Sequence, residues 1–500
     1  MQNLTRFLEF HARVRPEAEA LVYLDRRIAW AELRRRVLTT AKGLEERGVG
    51  PDSIVALAMK NSAAFVELLY AISHLGAVVL PVNYRLSPEE VAYVTGHAGA
   101  MLLLVDEELQ GLAAELAIPV LTLDAAAQAD SRTLFPGVAG FAERQPRSAA
   151  DLMRLMYTSG TTDRPKGVTI SYDSFYWKNF DHTVLLDLSA TDRLCVVGPL
   201  YHVGACDLPG LAVHQMGGTL VVLRDYDPEA VMACIEAEAI TGIWLPPVMS
   251  NGILALEGLD RFRVESLKWC VAGGEKTPES RIRDFVAVFP KARYIDAFGM
   301  TESVSGDTFM EAGREIEKIG SVGRPLPFVE VEIRDDDGRT LEPRQEGEIC
   351  LRGPKVTKGY WKDPERTAAA FWPDGFLRTG DVGYLDEEGF LYLTDRKKDM
   401  IISGGENIAS SEVERVLYEM PQVLEAAVVA RPDARWGEVP VAVVVTRPGQ
   451  GLDYETLRAH CREHLAHFKC PKELVLVDAL PRNPSGKVLK RVLRDQLAAG

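Results

Sequence analysis

The chain has 500 residues, 47% of them hydrophobic and 26% charged, so it outgrows a single core, which stops near ~250–300 residues, and it has the balance of a folded globular protein rather than a disordered or fibrous one. A formal net charge of -15 with a pI of about 5.3 excludes a nucleic-acid backbone as partner, because that binding needs clustered Lys and Arg. Seven cysteines without a C-x-x-C pair read as reduced thiols in a cytoplasmic setting.

At the N-terminus Leu4, Phe7, Leu8 and His11 fall on one helix face and lack the layout of a secretion signal. The longest apolar stretch, Leu68 to Val82, is broken by His74 and is shorter than the ~20 residues a bilayer span needs. From Val55 to about Met300, apolar runs such as VALAM, AVVLPV, MLLLVD, RLCVVGPL, TLVVL and LKWCVAGG alternate with amphipathic stretches such as EAVMACIEAEA and SRIRDFVAVF, which is the α/β signature. From Gly320 to Asp395 short strands with turn residues predict a β-rich stretch. Beyond it, RKKDMIISGGENIA leads into SSEVERVLYEM, where Ser411 and Glu414 have capping-box spacing. Helix, strand, strand, helix and strand then follow as a compact α+β unit. The tail PRNPSGKVLKRVL reads as turn chemistry, with Lys490 and Arg491 as surface charge.

The segment LMYTSGTTDRPKGVTIS runs an apolar strand into hydroxyls, Gly160, Lys166 and Gly167. Glycine lets backbone amides approach phosphate oxygens, Thr158, Ser159, Thr161 and Thr162 bring short donors, and Lys166 brings positive charge. The Gly160-to-Lys166 spacing equals that of a Walker loop, but Pro165 stands at its second glycine and Gly167 at its metal-binding hydroxyl, which excludes that class. There is no G-x-S-x-G elbow for a serine hydrolase. His460, His464 and His467 have helical spacing, and the i, i+4 pair suits zinc in principle. Without a partner carboxylate evident in the sequence they read as one partly solvated helix face.

The hydroxyl-rich loop resembles the phosphate signature of the adenylate-forming superfamily, which contains acyl- and aryl-CoA synthetases, peptide-synthetase adenylation domains and firefly luciferase, with Asp163 where glycine is usual. YIDAFGMTES resembles the segment that places an aromatic ring, here Phe298, against adenine, together with Asp296, Gly299 and Met300, and Thr301 and Glu302 at phosphate and magnesium, with Thr158 a second metal oxygen. VAGGEKTP, with Gly274 and Glu275, resembles the glycine turn bordering adenine, and RTGDVG places Asp381 at the ribose hydroxyls. PLYHVGACD places His202 as a gating aromatic of the acyl pocket, and the small Gly204 and Ala205 after it hint at room for an apolar group. DRKKDMIISGGENI resembles the superfamily's hinge: Arg396 near ribose and phosphate, Lys398 as pivot, Gly404, Gly405 and Glu406 along a thiol tunnel. PRNPSGKVLK matches the C-terminal catalytic-lysine motif at Lys487, and Arg85 matches a position near the CoA nucleotide.

The resemblance implies an α/β fold with a large N-terminal domain of α/β layers plus a β-rich subdomain, residues 1–397, and a small mobile α+β domain, residues 398–500. It implies an acyl-CoA synthetase using ATP, Mg²⁺ and coenzyme A on a small carboxylic acid, with a homodimer from family habit. The motifs leave open delivery to a carrier-protein phosphopantetheine, and they leave the acid aliphatic, alicyclic or aromatic. Lys487, Glu302 and Asp381 weigh against a silent nucleotide-binding protein on the same fold.

Overall fold

The computed structural model describes residues 3–158, 165–273, 277, 279–396, 399–403, 406–433, 435–482 and 488–499, with the backbone alone for 395–396, 406–407 and 498–499. Two sheets organise the larger part. One is nine-stranded, running Arg324–Pro325, Thr308–Phe309, Arg293–Phe298, Trp269–Gly273, Gly242–Trp244, Arg193–Val196, Thr219–Val222, Glu19–Tyr23 and Arg26–Ala29. Its six central strands are parallel to one another. The other is six-stranded, running Val120–Leu123, Leu102–Asp106, Ile54–Ala58, Val78–Pro81, Leu152–Thr158 and Lys166–Ser171, all parallel except the last pair. Each apolar run singled out in the sequence forms one of these strands, as fully buried parallel strands require.

The helix Ala63–His74 explains why the sheets share a core. It is apolar almost all round, all twelve of its residues are buried, and Ser62 caps it by accepting from Phe65 N at 3.1 Å. A helix without a polar face has to be enclosed, and this one touches strands of both sheets. Its single acid, Glu67, is fully buried. Arg36 Nη1 donates to it at 3.1 Å, and Ser131 donates through N at 2.8 Å and Oγ at 2.5 Å. Burial pushes the Glu67 carboxyl up, against the pull of Arg36.

A four-stranded antiparallel sheet, Glu330–Arg334, Gly347–Arg352, Leu377–Leu385 and Leu391–Arg396, forms the β-rich stretch. The strand Leu377–Leu385 went unpredicted. The sheet docks through Leu391, whose N donates to Gly323 O at 2.8 Å and whose carbonyl accepts from Ser321 Oγ at 2.8 Å.

The C-terminal unit has its own five-stranded sheet and its own apolar cluster around Ile401, Val413, Val428 and Leu457. Two expectations fail here. The helix Ser410–Tyr418 starts from Ala409 without a side-chain cap. Ser411 Oγ instead donates to Thr394 O, and Glu414 Oε1 accepts from Val428 N at 2.7 Å, so tertiary partners outcompete the local capping box. The tail is also not all turn: Lys490–Ala499 is a helix packed on the strand Val423–Asp433. Lys490 is no plain surface charge, since Nζ lies 2.8 Å from Glu414 Oε1 and 2.5 Å from Ser410 Oγ. Among the described residues no helix is long and apolar enough to cross a membrane.

Removing one partner of a buried ion pair strands the other, at a cost of about 3–5 kcal/mol. Glu67→Ala should therefore lower the thermal midpoint of the intact chain strongly, while Glu67→Gln, which keeps an acceptor for Ser131, recovers part of the loss in the same melt.

Candidate active site

The glycine- and hydroxyl-rich loop is held at both ends by an antiparallel ladder that pairs Thr158 with Lys166. Thr158 Oγ1 is buried without a hydrogen-bond partner among the described residues, a costly state for a hydroxyl unless a ligand satisfies it. Lys166 Nζ lies 3.0 Å from Glu302 Oε1 and donates to Tyr360 Oη at 2.6 Å, and Tyr360 Oη donates to the same Glu302 oxygen at 3.0 Å. Burial, then the Glu302 carboxylate, hold the Tyr360 phenol far above its ordinary range. Backbone bonds fix the arrangement: Thr357 N donates to Glu302 O and Trp361 N to Gly167 O, both at 2.7 Å.

Behind Glu302 the chain turns through three consecutive left-handed residues, Val304 at φ 57°, Ser305 at 74° and Gly306 at 60°. A β-branched residue in that region is strained. The fully buried Lys355 holds the turn, its Nζ donating to Ser305 O at 3.0 Å and to Gly306 O, with Asp307 Oδ1 at 3.0 Å. Gly299 is required by this turn, because a Cβ there would stand 2.3 Å from Gly306 N. Sequence reasoning missed Lys355, Thr357 and Tyr360; only the turn glycines Gly353 and Gly359 flank them, and these occur throughout the chain.

The strand Arg293–Phe298 carries Asp296 and Phe298, both buried, and leads directly to Gly299, Met300, Thr301 and Glu302. Beside it in register runs Trp269–Gly273, with Gly273 opposite Ala297, so the VAGG and YIDAF segments are neighbours. In the four-stranded sheet Asp381 and Arg396 are direct register partners. Ser403 pairs with Glu406, and Arg482 bridges to Val488 across the run that holds Lys487. Ser159, Gly160, Thr161, Thr162, Gly274, Glu275, Lys398, Gly404, Gly405 and Lys487 lie outside the described residues, as do the side chains of Arg396 and Glu406.

His202 begins the short helix Val203–Asp207 and accepts from Gly204 N at Nδ1, 3.0 Å away. Its ring lies nearly parallel to Trp244, centroids 5.9 Å apart at 18°. The room hinted at by Gly204 is occupied: a Cβ on Gly204 or Gly198 would stand 2.3 or 2.4 Å from the Trp244 indole. Arg85 lies over Tyr84 at 5.7 Å, and Tyr84 meets Tyr201 edge-on at 5.1 Å, which sets Arg85 beside the His202 segment.

Deeper lies a buried charged group. Arg154 pairs with Asp207, Lys178 Nζ donates to Asp207 O at 2.8 Å, and Asp181 and His182 lie nearby on the helix Tyr172–Leu185. Burial presses Lys178 down to about 8 and raises Asp181 to about 6, while His182, stacked on Phe309, stays well below its ordinary value.

Fold and site together define a two-part α/β nucleotide-activating enzyme. The family model for AMP-binding enzymes matches residues 8–361, and the model for the AMP-binding enzyme C-terminal domain matches residues 412–487. A feruloyl-CoA synthase of Amycolatopsis sp is 37% identical, with 97% of this chain and 96% of that protein aligned. A long-chain-fatty-acid–CoA ligase of Mycobacterium tuberculosis is 34% identical over 100% and 99%. The o-succinylbenzoate CoA synthetase of Bacillus subtilis, solved with ATP and a magnesium ion, superposes at a TM-score of 0.89 with 32% identity, covering 100% of this chain and 99% of that one. The chain belongs to the AMP-binding enzyme family and is an AMP-forming acid–thiol ligase that uses ATP, Mg²⁺ and coenzyme A.

Tyr360→Phe keeps the ring but removes a donor to Glu302 and an acceptor for Lys166. Hydrogen bonds to charged groups contribute about 1.5–3 kcal/mol each, so kcat/KM for pyrophosphate release should fall tenfold or more with the melting temperature nearly unchanged.

Proposed function

We propose that this enzyme converts a compact carboxylic acid with a flat face, an aryl or arylalkenyl acid ahead of a long alkyl chain, into its CoA thioester through an acyl-adenylate. The observation that carries the adenylation is the contact of Lys166, Glu302 and Tyr360 at the mouth of the phosphate loop. The flat acyl group rests against His202 and Trp244, whose nearly parallel rings include the indole that fills the space over Gly198 and Gly204.

Thr158, Ser159, Gly160, Thr161, Thr162 and Lys166 cradle the phosphates. The Thr158 hydroxyl, without a partner among the described residues and in register with Lys166, which meets Glu302, suits a hard cation, so Glu302, with Thr158 and Thr301, would hold Mg²⁺, which would neutralise phosphate charge. Adenine lies along Phe298, Asp296, Gly299 and Met300, bordered by Gly274 and Glu275, and Asp381 accepts from the ribose hydroxyls with Arg396 as its cross-strand neighbour.

A carboxylate oxygen of the acid then attacks the α-phosphorus. The new P–O bond forms as the bond to the β-phosphate breaks, and pyrophosphate leaves. Lys487 bridges both reactants and stabilises the charge that builds between them. In the second half the CoA thiolate attacks the acyl carbon and AMP leaves. For this step residues 398–500 rotate about Lys398, Lys487 withdraws, and Gly404, Gly405 and Glu406 line the path of the pantetheine arm, with Arg85 at the CoA nucleotide.

The test is AMP release and thioester formation across short, branched, long-chain and aromatic acids. Aryl acids should give the highest kcat/KM, and Lys487→Ala should reduce adenylation on the order of 10²-fold or more. Trp244→Ala should shift the preference towards bulkier acids. A wild-type preference for long-chain acids overturns the substrate class, and acyl-AMP accumulating without thioester overturns CoA as the acceptor in favour of a carrier-protein phosphopantetheine.

A further inference from the structure

The histidine-bearing helix Tyr454–His464 takes no part in the reaction above, yet it brings together a donor set that the sequence did not reveal. Glu419, at the C-terminal end of the helix Ser410–Tyr418, His460 and His464 each offer a ligand atom, all within 4.8 Å of one another. We propose that these three side chains form a binding site for one divalent transition-metal ion of the zinc class, with water completing a four-coordinate shell.

Each imidazole already has the orientation a ligating histidine needs. His460 Nε2 faces Val416 O at 3.0 Å and His464 Nδ1 faces His460 O at 2.9 Å. A ring nitrogen facing a carbonyl carries the hydrogen, so each ring keeps its other nitrogen as a lone-pair donor, the arrangement in which a backbone carbonyl orients a metal-bound histidine. The carboxylate divides its oxygens in the same way. Glu419 Oε1 accepts from Arg415 Nη1 at 3.2 Å, and Oε2 lies 3.9 Å from His464 Nε2.

Two further features favour a cation here. The helices Ser410–Tyr418 and Tyr454–His464 both end at this point, and helix C-termini carry partial negative charge. The donors are two imidazoles and one carboxylate, a set that suits zinc and is also accepted by nickel and copper. Ligands in a tetrahedral zinc shell stand roughly 3.4 Å apart for bonds of about 2.0–2.1 Å, so the present spread closes by side-chain rotation. Glu419 and His464, with side chains 38% and 40% exposed, have room for that small adjustment. His467 lies outside the cluster, its Nε2 3.5 Å from Arg462, and the seven cysteines are buried. The ion would link the ends of two helices that pack on the core of the C-terminal unit.

The test is calorimetric titration of Zn²⁺ into the full-length chain after chelator treatment and dialysis. It is run on wild type, His464→Ala and Glu419→Gln, with Co²⁺ absorption in the visible range reporting the coordination number. The expected result is one ion per chain in wild type, a four-coordinate Co²⁺ spectrum, and at least a tenfold loss of affinity in each variant. AMP release by both variants should stay at the wild-type level, which shows that they are folded. Absence of binding in wild type, or equal binding in wild type and both variants, overturns the proposal.

Discussion

One contact holds the active-site half of the molecule together: Lys166 and Tyr360 converging on Glu302. Its three members are reached along the chain from three different sheets. Lys166 opens the edge strand of the six-stranded sheet, Glu302 follows the strand Arg293–Phe298 of the nine-stranded sheet, and Tyr360 follows the strand Gly347–Arg352 of the antiparallel sheet. The site is therefore a junction rather than a pocket in one layer. Its geometry can be no better than the docking of the sheets, which the backbone bonds Trp361–Gly167 and Thr357–Glu302 secure. The left-handed turn at Val304–Gly306 is the strained part of this junction, and the buried Lys355 sustains it.

Much of this was legible in the sequence, for physical reasons that differ from place to place. Runs such as MLLLVD could be read as strands because both their faces are buried, so no polar alternation obscures them. Thr158, Lys166 and Glu302 stood out because their segments resemble family motifs, and the fold brings Lys166 and Glu302 into contact. Tyr360 and Lys355 did not stand out. Their work is done on carbonyls and a carboxylate brought in from about fifty residues away or more, and no local pattern encodes that. Ser411 and Glu414 misled because capping-box spacing is a local preference that tertiary partners can outcompete, here Thr394 O and Val428 N.

The acyl side shows the same limit from another angle. Gly204 in the sequence suggests space, whereas in the fold its missing side chain admits Trp244 from a strand forty residues later. A glycine records that something comes close without recording what does. This is consistent with relatives of comparable identity that bear the names of a feruloyl, a long-chain fatty acyl and an o-succinylbenzoyl ligase.

The place of the strand Glu19–Tyr23 in the nine-stranded sheet also has a temporal side. Its parallel partner is Thr219–Val222, with Leu21 beside Leu220. On the ribosome that partner emerges about two hundred residues later, which at ~5–20 residues per second is roughly 10–40 s. Through that interval the hairpin has only the short strand Arg26–Ala29 to pair with, and its other edge, with Ala20, Leu21, Val22 and Tyr23, waits uncovered. A strand made early thus waits on a partner made much later, and the speed of translation up to residue 222 becomes part of how safely this protein is born.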